Sequence, residues 1–176
     1  MKKIFFILTL TLVSLSVYSQ KGDLAVGLKG GYVHSIEYYS DILYGLDVAY
    51  HITDPFEIAF TGLLNPSASY TNYKDEKQKL SVYSTNLDLR LYLLMQREWA
   101  TGPVLGGQYL VINNKTTGDK EFINKIGFNL GWHLRINVSD NLKLNGGWRY
   151  TNVKDEGFDA SHHFFYAGLA YTFQTN

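Results

Sequence analysis

Phe164-Phe165-Tyr166-Ala167-Gly168-Leu169-Ala170-Tyr171-Thr172-Phe173 is the stretch on which the fold turns. In an extended chain, successive side chains point to opposite faces. Phe165, Ala167, Leu169, Tyr171 and Phe173 therefore share one face, and Phe164, Tyr166, Gly168, Ala170 and Thr172 share the other. One face is continuously apolar and closes on an aromatic ring, whereas the other mixes small and polar groups.

The same period of two recurs towards the N-terminus. A first strand is expected over Asp23 to Val33, with Leu24, Val26, Leu28 and Tyr32 opposed by Ala25, Gly27, Lys29 and Gly31. A second runs from Asp41 to Thr53, with Ile42, Tyr44, Leu46, Val48, Tyr50 and Ile52 against Leu43, Gly45, Asp47, Ala49 and His51. The third is expected over Phe56 to Asn65, stopping before Pro66, and the fourth over Lys79 to Leu94. The fifth, Trp99 to Ile112, has its phase blurred by Gly102, Gly106 and Gly107. The sixth, Phe122 to Val138, alternates most clearly, with Phe128, Leu130, Trp132 and Leu134 facing away from Asn129, Gly131, His133 and Arg135. Leu142 to Asn152 makes the seventh, and the opening stretch is the eighth. Thr53-Asp54-Pro55, Gln96-Arg97-Glu98 and Ser139-Asp140-Asn141 read as tight polar turns. The links His34 to Ser40, Pro66 to Gln78, Asn113 to Glu121 and Val153 to Ser161 are longer. Alternating long and short links describe an up-and-down meander with both ends on the short-turn side.

Lys2 and Lys3 followed by the apolar run Ile4 to Val13 read as a secretory signal peptide over residues 1–19, cleaved after Ser19. Residues 20–176 then form one domain of about 157 residues, enough for a sizeable core. Without Lys2 and Lys3 the chain carries 14 basic and 16 acidic residues, a balance that argues against nucleic acid as a partner. There is no cysteine, so neither disulfides nor thiolate zinc sites contribute. No segment after the signal offers the ~18 consecutive apolar residues of a membrane helix.

Two barrels fit this alternation, a soluble one with its apolar face inside and a membrane one with that face outside. The weaker face decides. It holds Gly27, Gly31, Gly45, Ala49, Ala59, Gly127, Gly131, Gly147, Gly168 and Ala170 together with isolated charges. That mixture suits the crowded bore of a narrow barrel, whereas a water-facing surface has no use for so much strand-weakening glycine. The apolar face, with Trp132 and Trp148, is too bulky for an eight-strand interior, and a lipocalin's Gly-x-Trp signature is missing near the first strand. The expected fold is all-β: a closed antiparallel up-and-down transmembrane β-barrel of about eight strands following the cleaved signal. Tyr32, Tyr44, Tyr109, Tyr150 and Phe165 fit one interfacial girdle, and Tyr50, Phe56, Trp99, Tyr171 and Phe173 the other.

On the signal, the alternating strands, the loop order and the ending Gly168 to Phe173, the chain resembles the small outer-membrane barrels of OmpA/OmpX-like, porin-like type. The resemblance implies a bacterial outer membrane with both termini periplasmic, contact with outer-membrane lipids, and insertion by the barrel-assembly machinery. It also implies that Leu169, Tyr171 and Phe173 act as the assembly signal, although Gln174-Thr175-Asn176 follow where many members stop. Members of such a family differ widely in function.

The inward charges Lys29, Asp47, Glu57, Asp88, Arg90, Lys125, Arg135, Lys143 and Arg149 form the expected lumen network. Lys29 with Asp47 and Glu57 with Arg90 are the expected pairs, because a charge in a confined bore must find a partner or water. His34, His162 and His163 meet at the loop-side rim near Ser35, Glu37, Asp41, Asp159 and Ser161. They invite comparison with a hydrolytic or metal-binding group, yet alternation separates His162 from His163. No catalytic, cofactor or metal residue is expected. The expected role is a small non-catalytic barrel that supports the membrane or presents its loops, including as an accessory subunit beside an outer-membrane protein partner. A narrow anion-favouring channel and a lipid-modifying enzyme are the alternatives.

Overall fold

The computed structural model describes residues 22–35, 40–71, 77–115, 122–155 and 158–173. The expected signal peptide, the middles of the long links and the tail after Phe173 lie outside them. The strands are β1 (Leu24–Ser35), β2 (Ser40–Thr53), β3 (Phe56–Thr71), β4 (Lys77–Leu91), β5 (Leu94–Met95), β6 (Trp99–Asn114), β7 (Phe122–Asn137), β8 (Leu142–Asn152), β9 (Lys154–Asp155), β10 (Phe158–Asp159) and β11 (His162–Phe173). The long strands pair in the order β4-β3-β2-β1-β11-β8-β7-β6, and β4 pairs with β6 to close the ring. All these pairings are antiparallel. The result is a closed eight-stranded up-and-down barrel, with β5 a short extension and β9–β10 a small hairpin between β8 and β11. Closure joins the first strand to the last, Leu24 opposite Phe173 and Ser35 opposite His162. It removes the exposed edges that would otherwise pair with other chains.

Several strand ends lie one or two residues from the sequence reading, and the two larger differences arise at bulges. The third strand does not stop at Pro66. Its pairing with β4 shifts between Asn65↔Val82 and Ala68↔Leu80, so Pro66 and Ser67 form a bulge where proline's missing N–H costs no ladder bond. Asn65 Oδ1 accepts the Ser67 N–H at 2.8 Å, and the Pro66 carbonyl accepts from Ser81 Oγ at 3.2 Å. The fourth strand ends at Leu91 rather than Leu94. Between Arg90↔Val104 and Leu94↔Thr101 the chain before the turn carries one extra residue, and β5 resumes the ladder beyond it. β3, at 16 residues, rises about 40 Å when tilted in a barrel wall, more than the ~25 Å of a membrane's apolar band. Much of the long link expected after Pro66 is thus strand standing above that band.

The outer wall is hydrocarbon. Leu28 is 69% exposed and Ile126 80%, and Leu46, Leu87, Phe128, Phe165 and Leu169 are exposed beside them. Between the rows of Tyr50 and Tyr32, no described Asp, Glu, Lys or Arg points outwards. Indole N–H groups on this wall find partners within it. Trp132 Nε1 donates to Thr101 Oγ1 at 2.7 Å and Trp148 Nε1 to His163 Nδ1 at 3.1 Å, as hydrocarbon surroundings require. Tyr50, Tyr171 and Phe173 are exposed at the short-turn end, and Tyr32, Tyr44 and Phe165 nearer the loop end.

Inside, two glycines make room for rings. A Cβ at Gly147 would lie 2.7 Å from the Tyr166 hydroxyl, and one at Gly31 would lie 2.8 Å from the Phe164 ring. The bore is layered. Val33, Leu43, Leu63, Ala68, Leu80, Val82, Leu110, Ile112, Val153, Ala160 and Phe164 form a buried apolar cluster in the long-loop half. The short-turn half holds most of the charges, with Ala25, Ala49, Ala59 and Ala170 as small spacers along the wall.

Candidate functional site

Asp47 on β2, Glu57 at the start of β3 and Arg90 near the end of β4 meet at the centre of the charged half. Inward parity fixes their direction. Register alone would separate Asp47 from Arg90, since Asp47 opposes Thr61, which in turn opposes Asn86, while Arg90 opposes Glu57. The length of the arginine stem bridges that offset. Arg90 Nη2 donates to Asp47 at 2.8 and 3.0 Å, and Nη1 donates to Glu57 Oε1 at 2.5 Å. Arg90 is 2% exposed, so one guanidinium holds two carboxylates away from water. Its rigid fork suits this double task better than an ammonium would.

The remaining oxygens are also occupied. Asp47 Oδ1 accepts from Lys29 Nζ at 2.5 Å and from Thr61 Oγ1 at 2.5 Å. Lys29 Nζ also lies 4.8 Å from the centre of the Tyr166 ring. Glu57 Oε2 accepts from Tyr92 Oη at 3.3 Å, lies 3.0 Å from His51 Nε2 and 3.7 Å from Arg135 Nη1. The Arg135 guanidinium packs 4.4 Å over the Tyr92 ring and against His51. His133 is completely buried, with Nδ1 3.0 Å from Tyr166 Oη.

A second group sits beside the apolar cluster. Asp88 accepts from Arg149 Nη1 at 2.7 Å and from Asn129 Nδ2 at 3.0 Å. Thr151 Oγ1 lies 2.7 Å from Asn129 Oδ1 and 3.0 Å from Gln108 Oε1, and Gln108 Nε2 reaches His162 Nε2 at 3.4 Å. Lys125 lies on the same face, half-buried, opposite Leu110 in the ladder. Lys143 is 9% exposed at the short-turn mouth.

The nine inward charges thus fall into one bridged centre (Lys29, Asp47, Glu57, Arg90 and Arg135), one separate pair (Asp88 and Arg149) and two residues nearer the ends (Lys125 and Lys143). Lys29–Asp47 and Glu57–Arg90 are not separate pairs, because Arg90 joins them. Thr61, Tyr92, His133 and Tyr166 complete the centre, and inward parity alone was the sign that marked them. Leu169, Tyr171 and Phe173 line the outer face of β11, and the Tyr171 hydroxyl accepts from Asn141 Nδ2 at 3.0 Å.

Closure sets His34 directly opposite His163 on the outer face, and His162 lies apart on the inner one. His34 is exposed, with Nδ1 2.9 Å from Ser40 Oγ. His163 faces outwards and stacks on Trp148 at 5.7 Å. His162 is not a rim residue: it is 2% exposed inside the barrel and lies 2.9 Å from the Ala160 carbonyl. Among the described residues no cluster of three His, Cys, Asp or Glu is placed to hold a metal.

No curated protein sequence matches the chain. Solved structures share its fold at low identity. Neisserial surface protein A (NspA) is 15% identical with a TM-score of 0.66, over 86% of this chain and 97% of that one. A major outer membrane protein from Thermus thermophilus is 13% identical with a TM-score of 0.64, over 86% and 99%. Ail, the attachment invasion locus protein of Yersinia pestis, is 15% identical with a TM-score of 0.57, over 87% and 99%. The model of the outer membrane protein beta-barrel domain matches residues 5–173. With a lipid-type outer wall, a closed eight-strand ring and this match over nearly the whole length, the chain belongs to the outer membrane protein β-barrel domain family of the bacterial outer membrane.

Proposed function

We propose that this protein is a sealed, non-catalytic barrel whose working surface is its set of loops, presented at the cell exterior from a rigid wall with both termini in the periplasm. The observation that carries this reading is the doubly closed bore. Arg90 and its two carboxylates block the short-turn half, and Leu63, Leu110, Ile112 and Phe164 block the long-loop half. An eight-strand interior is only wide enough for its own side chains, and the polar groups that pass the apolar block, from Asp88 to His162, are bonded to one another. That disfavours the channel alternative. The divided histidines disfavour a hydrolytic site, which needs nucleophile and base within hydrogen-bond reach.

The long strands β3, β4, β6 and β7 lift two loops beyond the apolar band, where binding on a rigid scaffold usually resides. Residues 72–77, 114–120 and 154–159 are polar and carry both signs of charge, so the expected partner is a protein or a hydrophilic envelope surface rather than nucleic acid. In one form of this reading the barrel is an accessory subunit of a larger assembly. Extraction from native membranes in mild detergent tests it, comparing the wild type with a variant whose residues 72–76 and 116–121 are replaced by short Gly-Ser turns. The expected result is a stable partner that co-purifies with the wild type and is lost from the variant, both proteins still migrating as heat-modifiable barrels. Equal recovery from both, or recovery of the barrel alone from both, would contradict the loop-presenting role.

A further inference from the structure

We propose that the short-turn mouth of the barrel binds a small amine–carboxylate zwitterion, its carboxylate seated between Arg135 and Lys143 and its ammonium group at the rim. A polar cavity of about 440 Å³ opens there, room for about fifteen waters at liquid density.

The floor of this cavity has unmet polar capacity. Arg135 and His51 are each more than nine-tenths buried, and Arg135 Nε, His51 Nδ1 and Asn137 Oδ1, closed off from solvent in the empty cavity, have no hydrogen-bond partner among the described residues. All three residues line the cavity. The Lys143 ammonium makes no ion pair within 4 Å among the described residues. The charges are also unequal. Lys29, Arg90, Arg135 and Lys143 stand against Asp23, Asp47 and Glu57 in the connected lower half, which leaves one positive charge over. The Asp88–Arg149 pair above is neutral by itself. A buried charge without a counterpart is costly, and an anion seated on the floor removes the imbalance.

The rim has the opposite sign. Among the described residues each of the three short turns contributes a carboxylate to the mouth, Asp54, Glu98 and Asp140, and the turns contribute one cation, Arg97. A plain anion is drawn to the floor but repelled at the entrance, whereas a plain amine is held only at the entrance. A molecule with a carboxylate at one end and an ammonium at the other satisfies both, and charge-assisted hydrogen bonds to Arg135 and Lys143 fix its direction. The opening lies on the barrel axis and not through the lipid-facing wall, so the ligand is a free solute rather than a lipid headgroup. The inference does not depend on the role of the loops.

Calorimetric titration of the folded chain in detergent tests it, with glycylglycine, acetate, methylammonium and glycerophosphoethanolamine as probes. Glycylglycine is expected to bind saturably, acetate about tenfold more weakly, and methylammonium more weakly still. Because Arg135 also braces Glu57, Lys143→Gln carries the test. It is expected to weaken glycylglycine about tenfold with heat-modifiable migration unchanged, while Asp140→Asn narrows the preference for glycylglycine over acetate. No saturable glycylglycine binding, or equal binding by wild type and Lys143→Gln, would overturn the site. Acetate binding as tightly as glycylglycine would overturn the zwitterion assignment. Tighter binding of glycerophosphoethanolamine would overturn the assignment to a free carboxylate solute.

Discussion

In the short-turn half of the bore, Asp47, Arg90 and Glu57 fill the space with ion pairs of 2.5–2.8 Å; in the long-loop half, Leu63, Leu110 and Phe164 fill it with hydrocarbon. Both halves are built from the same inward-facing positions of the same strands. The first half is held by direction-dependent contacts that converge on Arg90. The second is held by packing that tolerates a change of shape if volume is kept. The contrast teaches that alternation decides which way a side chain points, while height along the strand decides what it meets.

The comparison breaks most sharply at Arg90. Arg90→Met leaves Asp47 and Glu57 buried without their shared guanidinium, and is expected to lower stability by about 3–5 kcal/mol. Urea unfolding in lipid vesicles, followed by tryptophan fluorescence, measures this. Phe164→Ala removes the largest ring from the apolar half. A loss of about 3 kcal/mol is expected from the cavity it leaves, and it should depend little on salt, because packing dominates it and the Arg149 guanidinium 5.4 Å over the ring is itself buried. A positive charge that the bore accommodates should be rejected on the opposite face. Leu130→Arg, placed on the outer wall, is expected to cost about 2–3 kcal/mol if it reaches the middle of the bilayer, read from the same unfolding curves. The smallest effect belongs to Lys29→Met, expected at about 1 kcal/mol, since Arg90 and Thr61 still satisfy Asp47. If Lys29→Met proved as damaging as Arg90→Met, the view of Arg90 as the keystone of the charged half would be wrong.

Much of this was legible before any coordinates. The inward direction of Lys29, Asp47, Glu57, Asp88, Arg90, Arg135, Lys143 and Arg149 followed from parity, because a period of two carries the face of every residue in an unbroken strand. What parity cannot carry is height, and two features were hidden for that reason. Arg90 reaches across an offset to Asp47 that only the register of β2, β3 and β4 defines. The apolar half joins Val33 and Leu43 to Leu110, Ile112 and Phe164, residues far apart in sequence. Leu110 and Ile112 also follow the glycines that blur the phase of β6. The extension of β3 past Pro66 was hidden for a different reason. Proline ordinarily ends a central strand, and here a bulge absorbs it. His162 reads as a rim residue because it starts a strand, but Ala160 pairs its N–H with the Val153 carbonyl just before that start, and Ala160 and Ser161 are fully buried beside it.

The claim on which the functional account rests is that the bore is closed twice. Conductance recorded from the purified, folded wild-type chain in planar lipid bilayers tests this most directly, with an open porin in the same membranes as the positive control. The account predicts a flat trace at every applied voltage. Stable, stepwise ion currents from the wild-type barrel would contradict it.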